Sequence, residues 1–150
     1  MTWRNDKCIS DIYINISEKE LEKGKQLASK KDFEINHHLM DANNLTFENG
    51  SFDIVFGGAI LHHLDINNTI HHIHRVLKPG GKILVEGFSK KQLGLNSGGP
   101  KNIDWLFSSK ELETEFPGVK IILNEEKQRI LDEGPLHQGL AEVVQFIAQK

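Results

Sequence analysis

The chain has 150 residues, of which 38% are hydrophobic and 26% are charged, and its formal net charge at pH 7 is −3. These values are typical of one globular domain, and a negative balance without a stripe of Lys and Arg argues against a nucleic-acid partner. A single cysteine, Cys8, leaves no pair for an internal disulfide, and no apolar run is long enough to span a membrane. The composition therefore predicts one domain over residues 1–150, located in a reducing cytoplasm without contact to a membrane.

Short apolar segments bounded by polar turns recur along the chain and predict β-strands. They span residues 8–16, 33–40, 52–56, 82–87, 119–123 and 141–148. Helical patterns separate several of them, which predicts an α/β fold with a parallel sheet.

The first predicted helix begins after Ser17. This serine is followed three residues later by Glu20, which together favour an N-cap and a capping box. The helix is predicted to run to about Lys30, and its inner face to carry three apolar side chains, Leu21, Leu27 and Ala28.

The segment from Ser51 to Gly81 is the most informative part of the chain. A predicted strand is followed by apolar residues at helical spacing, Ile70, Ile73, Val76 and Leu77, and then by Pro79-Gly80-Gly81, which ends the helix. With the strand at 82–87 it forms a strand–helix–strand crossover, the unit of a parallel sheet. A further short helix is predicted from Ser108 or Ser109 to Phe116.

Several motifs in this order resemble the class I methyltransferases that use S-adenosylmethionine. They are Asp41-Ala42 with Leu45-Thr46-Phe47, residues 51–55, residues 61–64, and Arg75-Val76-Leu77-Lys78-Pro79-Gly80-Gly81. Gly98-Gly99-Pro100 and residues 133–139 are similar to a small single-domain subgroup, of type 11 and of the tellurite-resistance kind. The resemblance implies a Rossmann-like sheet, mostly parallel with an antiparallel C-terminal strand, S-adenosylmethionine as cofactor and a small-molecule substrate.

The resemblance also implies cofactor contacts at the ends of two strands, where open parallel sheets bind their ligands. Asn15 stands where the family keeps an acid for the ribose hydroxyls; the alternative is an Asx turn. Asp41, with Ala42, stands where the family accepts the adenine amino group; the alternative is a turn or helix-capping aspartate.

Gly57 and Gly58 follow the predicted strand at 52–56 and would let the cofactor approach the backbone, or would form a plain tight turn. His62 and His63 come just after them, so that either could face the methyl acceptor, although packing is the alternative. The histidines of the crossover helix are predicted at the surface, and no metal site is predicted. The long polar segments 92–100 and 133–139 are candidate acceptor loops.

The sequence departs from the family near its start. The family's first strand ends in a Gly-rich loop that holds the methionine part of the cofactor, about 20 residues before the ribose position. Counting back from Asn15 passes Met1, and the first glycine is Gly24. We therefore expect an N-terminally truncated domain that lacks this strand and loop, with an exposed sheet centre that drives formation of a homo-oligomer. The alternative is that strands from this chain or from a partner close the sheet.

Two functions remain open on this sequence. The first is S-adenosylmethionine-dependent methyl transfer to a small molecule, and the second is a degenerate, non-catalytic domain that serves as a binding or dimerisation module. Asn15 and the missing loop favour the second, whereas Asp41 and residues 77–81 indicate descent from the first. Because methyl transfer needs mainly alignment of the acceptor, the absence of a catalytic pair excludes neither. Catalytic residues and the methyl acceptor stay unassigned.

Overall fold

The computed structural model describes residues 11–58, 65–134 and 136–150. The chain divides into two compact units, the first ending at Leu45 and the second running from Thr46 to Lys150. The expectation of a single domain stays a prediction. The helices and strands in the described ranges are β1 (Asp11–Asn15), α1 (Glu18–Lys30), β2 (Ile35–Leu39), β3 (Phe52–Gly58), α2 (Ile66–Val76), β4 (Leu77–Phe88), α3 (Ser109–Glu115), β5 (Lys120–Asp132) and β6 (Gln138–Gln149).

The first unit is a strand–helix–strand crossover. β1 and β2 pair in parallel, from Asp11 opposite Ile35 to Asn15 opposite Leu39. Residues 8–10, which the sequence assigned to the first strand, lie outside the described residues. The parallel pairing places the carboxyl ends of β1 and β2 at the same edge.

Helix α1 begins where the sequence predicts. Ser17 Oγ accepts a hydrogen bond from the Glu20 N–H at 3.3 Å, which is one half of the predicted capping box. The Glu20 carboxylate pairs with Lys23 Nζ at 2.7 Å. Leu21 is buried, as predicted. Leu27 is exposed, so its placement on the inner face was wrong. Leu27 and Ala28 point about 100° apart on the helix, and of the two only Ala28 is buried.

The second unit contains a four-stranded sheet in the order β3-β4-β6-β5. β3 and β4 are parallel, whereas β6 runs antiparallel to both of its neighbours. This arrangement confirms the predicted α/β, Rossmann-like fold class with an antiparallel C-terminal strand.

One face of this sheet carries the main core under α2 and α3. Its buried side chains come from the two helices, from the residue that follows α3 and from the two central strands: Ile70, Leu77, Ile83, Val85, Leu112, Phe116, Val144, Phe146 and Ala148. Apolar residues at every second strand position meet apolar helix faces, which is the usual way such layers pack. Helix α3 is confirmed, and its first turn has a full capping box between Ser108 and Glu111.

Strand β5 is much longer than predicted. The sequence assigned residues 119–123, but the strand runs to Asp132 and pairs with β6 from Lys120 opposite Gln149 to Asp132 opposite Gln138. The added residues are mostly charged and carry no strand pattern of their own, so the pairing with β6 decides their conformation. No helix in the described residues has the length and apolar character needed to cross a bilayer.

Candidate functional site

The first unit brings two of the predicted cofactor residues to one edge. Asn15 ends β1, and Asp41 follows β2 by two residues. The backbone N–H of Met40 donates to the carbonyl oxygen of Asn15 at 3.0 Å, which holds the two chain segments together. This is the carboxyl edge of a parallel pair, where ligands bind in open α/β sheets.

The Asn15 side chain is already engaged within its own segment. Its Oδ1 accepts from the Ser17 N–H at 2.9 Å, and its Nδ2 donates to the Tyr13 hydroxyl at 3.0 Å. The first bond is the Asx turn that the sequence offered as the alternative. A ribose hydroxyl would have to exchange with one of these partners, so Asn15 fits the cofactor only after rearrangement.

Asp41 caps a single 3₁₀ turn, Ala42–Asn44. Its Oδ1 accepts from both the backbone N–H of Asn43, at 2.8 Å, and the Asn43 side chain, at 3.0 Å. The capping alternative therefore describes Oδ1, whereas no hydrogen bond to Oδ2 is formed within the described residues. A carboxylate oxygen left available at a strand end fits the amino group of an adenine.

The second unit places the two predicted glycines within β3 and not in a turn. Gly57 pairs with Val85, and Gly58 pairs with Glu86. A Cβ at Gly58 would lie 3.2 Å from the ring of Phe56, so the glycine leaves space beside this ring. His62 and His63 lie outside the described residues.

A pocket of about 290 Å³ lies at the carboxyl ends of β3 and β4. Aromatic, apolar, glycine and charged residues line it: Phe56, Gly58, Glu86, Gly87, Phe88, Arg129, Leu131, Glu133 and Val143. The volume is close to that of small-molecule sites, which combine mostly apolar walls with a few polar groups. Of this set, Gly58 was predicted as a cofactor residue, and Glu133 begins the candidate acceptor loop 133–139.

Three charged side chains form a cluster at this pocket. Arg129 Nη2 lies 2.9 Å from Glu86 Oε1 and also pairs with Glu133 Oε1. The Gln145 side chain donates to Glu86 Oε2 at 2.5 Å. Partial burial opposes the charge of Arg129, but the hydrogen bonds and charges of Glu133 and Glu86 outweigh it and raise the pKa of Arg129. The guanidinium therefore stays charged, held by carboxylates from two elements.

Gln92 holds one of the two candidate acceptor loops, segment 92–100, against β6. Gln92, only 1% exposed, donates to Ser97 Oγ at 3.0 Å and to the Gly98 carbonyl at 2.9 Å. Its Oε1 accepts from the Glu142 N–H at 2.8 Å, which ties segment 92–98 to β6. A buried amide whose groups are all satisfied in this way fixes the loop in one conformation.

Two glycines of the same segment, Gly98 and Gly99, pack closely against neighbouring residues. A Cβ at Gly98 would lie 2.3 Å from the Leu136 carbonyl oxygen, and one at Gly99 would lie 2.9 Å from the Phe88 ring. The Phe88 and His137 rings lie 5.8 Å apart. The Gly-Gly pair of the sequence motif therefore lets segment 92–100 pack against the turn before β6 and against a wall of the pocket.

Sequence reasoning missed Glu86 and Arg129, and it placed Gln92 in a candidate acceptor loop without predicting the burial of its side chain. A glutamate inside the apolar run Ile-Leu-Val-Glu-Gly-Phe is a detectable signal for Glu86, because charged residues are depleted in buried strands. Arg129 lies in the part of β5 that had no predicted structure, and Gln92 has no feature that distinguishes it from a surface glutamine.

None of the histidines of α2 lines this pocket. Desolvation, followed by the positive charge of Arg75, lowers the pKa of His72. Desolvation, followed by the charge of Lys150, lowers that of His74. In the described residues no group of three or more His, Cys, Asp or Glu side chains is arranged to hold a metal ion.

Comparison with known proteins identifies the family to which the chain belongs. Residues 3–85 match the model of a methyltransferase domain family. The chain is 35% identical to phosphoethanolamine N-methyltransferase 2 of Caenorhabditis elegans over 66 residues, which cover 43% of this chain and 15% of that protein. It is 34% identical to 27-O-demethylrifamycin SV methyltransferase of Amycolatopsis mediterranei over 91 residues, which cover 59% of this chain and 33% of that protein. The chain thus matches about a third or less of the length of these relatives.

Solved structures share the fold over nearly the whole chain. An S-adenosylmethionine-dependent methyltransferase from Methanosarcina mazei superposes with a TM-score of 0.73 at 19% identity, covering 94% of this chain and 82% of that one. The family match spans more than half of the 150 residues, and the strand order and antiparallel C-terminal strand agree with it. The chain therefore belongs to the class I S-adenosylmethionine-dependent methyltransferases.

Proposed function

We propose that this protein transfers a methyl group from S-adenosylmethionine to a small molecule. The observation that carries the proposal is the pocket at the carboxyl ends of β3 and β4, lined by Phe56, Gly58 and Glu86. Both curated relatives described above are named for small-molecule acceptors, phosphoethanolamine and a demethylrifamycin, which supports an acceptor of this size. We propose a cytoplasmic location because the lone Cys8 fits a reducing compartment.

S-adenosylmethionine, when bound, supplies a methyl group on a positively charged sulfur. We propose that Asp41 accepts a hydrogen bond from its adenine through Oδ2, and that Asn15 gives up its bond to Tyr13 to contact the ribose. The walls of the pocket orient the acceptor and exclude water, which is most of what this reaction requires of a protein. Such alignment needs neither a nucleophilic side chain nor a metal ion.

The role of Asp41 predicts cofactor binding that depends on its charge. Saturation-transfer NMR detects ligands with millimolar dissociation constants. We expect S-adenosylhomocysteine to show signals on its adenine protons. Asp41→Asn keeps an equally good cap for the 3₁₀ turn but removes the charge, so we expect roughly three- to tenfold weaker binding. Asp32→Asn is the matched control, because Asp32 lies in the same unit at a φ of 55° that asparagine tolerates. The absence of any signal, or an unchanged affinity in Asp41→Asn, would contradict the proposal.

A second candidate, a non-catalytic dimerisation module, is favoured by the surface of β3. Among the described residues β3 pairs on one side only, with β4. Ile54 and Phe56 on this strand are 59% and 71% exposed. Apolar residues on an open strand edge favour association with another chain.

This candidate predicts self-association through β3. In sedimentation velocity we expect the average mass to rise above that of the monomer with concentration, and Ile54→Lys to return it to the monomer. Ile130→Lys is the control, since Ile130 is as exposed but lies on β5 at the opposite edge of the sheet. A monomer at all concentrations would refute the module.

A further inference from the structure

Arg129, which lines the pocket at the ends of β3 and β4, has a hydrogen-bond donor without an acceptor. Both ion pairs of Arg129 run through Nη2. Its Nε is shielded from solvent and has no hydrogen-bond partner among the described residues. A buried donor in this state is unfavourable, and a ligand that supplies an oxygen would satisfy it.

The two carboxylates around Arg129 are not equivalent. Glu86 is held on both oxygens, by Arg129 and by Gln145, and its side chain is 24% exposed. Glu133 is 48% exposed and uses one oxygen, and it stands in the turn that follows β5. Its backbone N–H, not its carboxylate, closes that turn by donating to the His137 carbonyl at 3.0 Å. Glu133 can therefore leave Arg129 without opening the turn.

From this asymmetry we infer that the pocket binds a small molecule with an apolar body and an anionic oxygen, which takes the place of Glu133 on Arg129. The planar guanidinium binds a carboxylate-type group through two parallel hydrogen bonds, from Nη2 and the unused Nε. Phe56, Phe88 and Leu131 provide the apolar wall for the rest of the molecule. Within the proposed function this molecule is the methyl acceptor, and Arg129 is its positioning residue.

The inference predicts that a negative charge, and not shape alone, determines binding. We would titrate the full chain with benzoate, with the neutral benzamide of the same shape and with benzylammonium, and follow the amide NMR signals of Gly58, Gly87 and Phe88. We expect benzoate to bind at least about fivefold more tightly than benzamide, because the bond to an ionised acceptor is the stronger one. Benzylammonium should bind most weakly.

Two variants should change benzoate binding in opposite directions. Arg129→Gln should remove the preference for benzoate over benzamide. Glu133→Gln should strengthen benzoate binding by about threefold, because it removes a competing and repelling charge. Lys127→Gln is the matched control, since it removes one positive charge from the same strand and should leave the benzoate-to-benzamide ratio unchanged.

Equal binding of benzoate and benzamide, tighter binding of benzylammonium, or no shift of the three amide signals would overturn the inference. So would weaker benzoate binding in Glu133→Gln, which would make Glu133 part of the binding site. Because the titration contains no cofactor, benzoate binding without binding of S-adenosylhomocysteine would leave the inference standing while the proposed function fails.

Discussion

Gly98→Ala is expected to lower the free energy of unfolding by roughly 3 kcal/mol or more, because it combines backbone strain with a steric clash. Gly98 has a φ of 108°, which side-chain-bearing residues rarely adopt, and a Cβ would lie 2.3 Å from the Leu136 carbonyl oxygen. The clash is with backbone, so no rotamer change can relieve it. Chemical denaturation followed by circular dichroism measures the effect.

Substitutions at two other glycines distinguish the effect of backbone strain on stability from that of the steric clash. Gly118 has a φ of 78° with no atom within 4 Å of its Cβ position, and Gly94 has neither a positive φ nor a close atom. We expect Gly118→Ala to lose about 1 kcal/mol, and Gly94→Ala to be neutral or slightly stabilising. If Gly98→Ala loses no more than Gly118→Ala, the close packing of segments 92–100 and 133–139 is wrong.

Phe146→Ala is expected to destabilise the protein by about 3–5 kcal/mol, the range for truncating a fully buried aromatic side chain. Phe146 lies on β6 between β4 and β5 and has no exposed surface. Its ring stacks on Phe116 at 4.9 Å between centroids, so the substitution opens a cavity between the sheet and the segment after α3. The same denaturation experiment gives the value.

Leu140→Ala is the control for Phe146→Ala. Leu140 lies on the same strand, but its side chain is 43% exposed. Because much of this side chain already contacts water, we expect a loss below about 1 kcal/mol. Similar losses for the two variants would show that β6 is not the centre of the core.

The predictions that succeeded rest on local signals. Helix α1 begins after Ser17, where the cap pattern indicated, because a cap is a contact between residues three apart. The apolar period of Ile70, Ile73 and Val76 located α2, because helical spacing is also a local pattern, whereas Leu77, predicted with them, begins β4. The placement of Leu27 on the inner face of α1 failed, because adjacency in sequence does not mean adjacency on a helix surface.

Only part of the candidate site could be predicted from such local signals. Asn15, Asp41 and Gly58 follow or end strands, and strand ends can be recognised from the chain. Glu86 carried a signal in its apolar run, but its partner Arg129 could not be assigned, because Arg129 lies in a charged segment that becomes a strand only through its pairing with β6. Their ion pair joins β5 and β4, which are separated by β6 in the sheet.

The sequence by itself determined the family, the crossover at residues 51–81 and the two strand ends that carry Asn15 and Asp41. These features depend on residue types at fixed spacing, which a chain shows before it folds. Only the tertiary structure decided the length of β5, the burial of Gln92 and the meeting of Arg129 with Glu86. Each of these is a contact between residues distant in sequence or a consequence of such a contact, and no local pattern encodes which partner a charged or amide side chain will find.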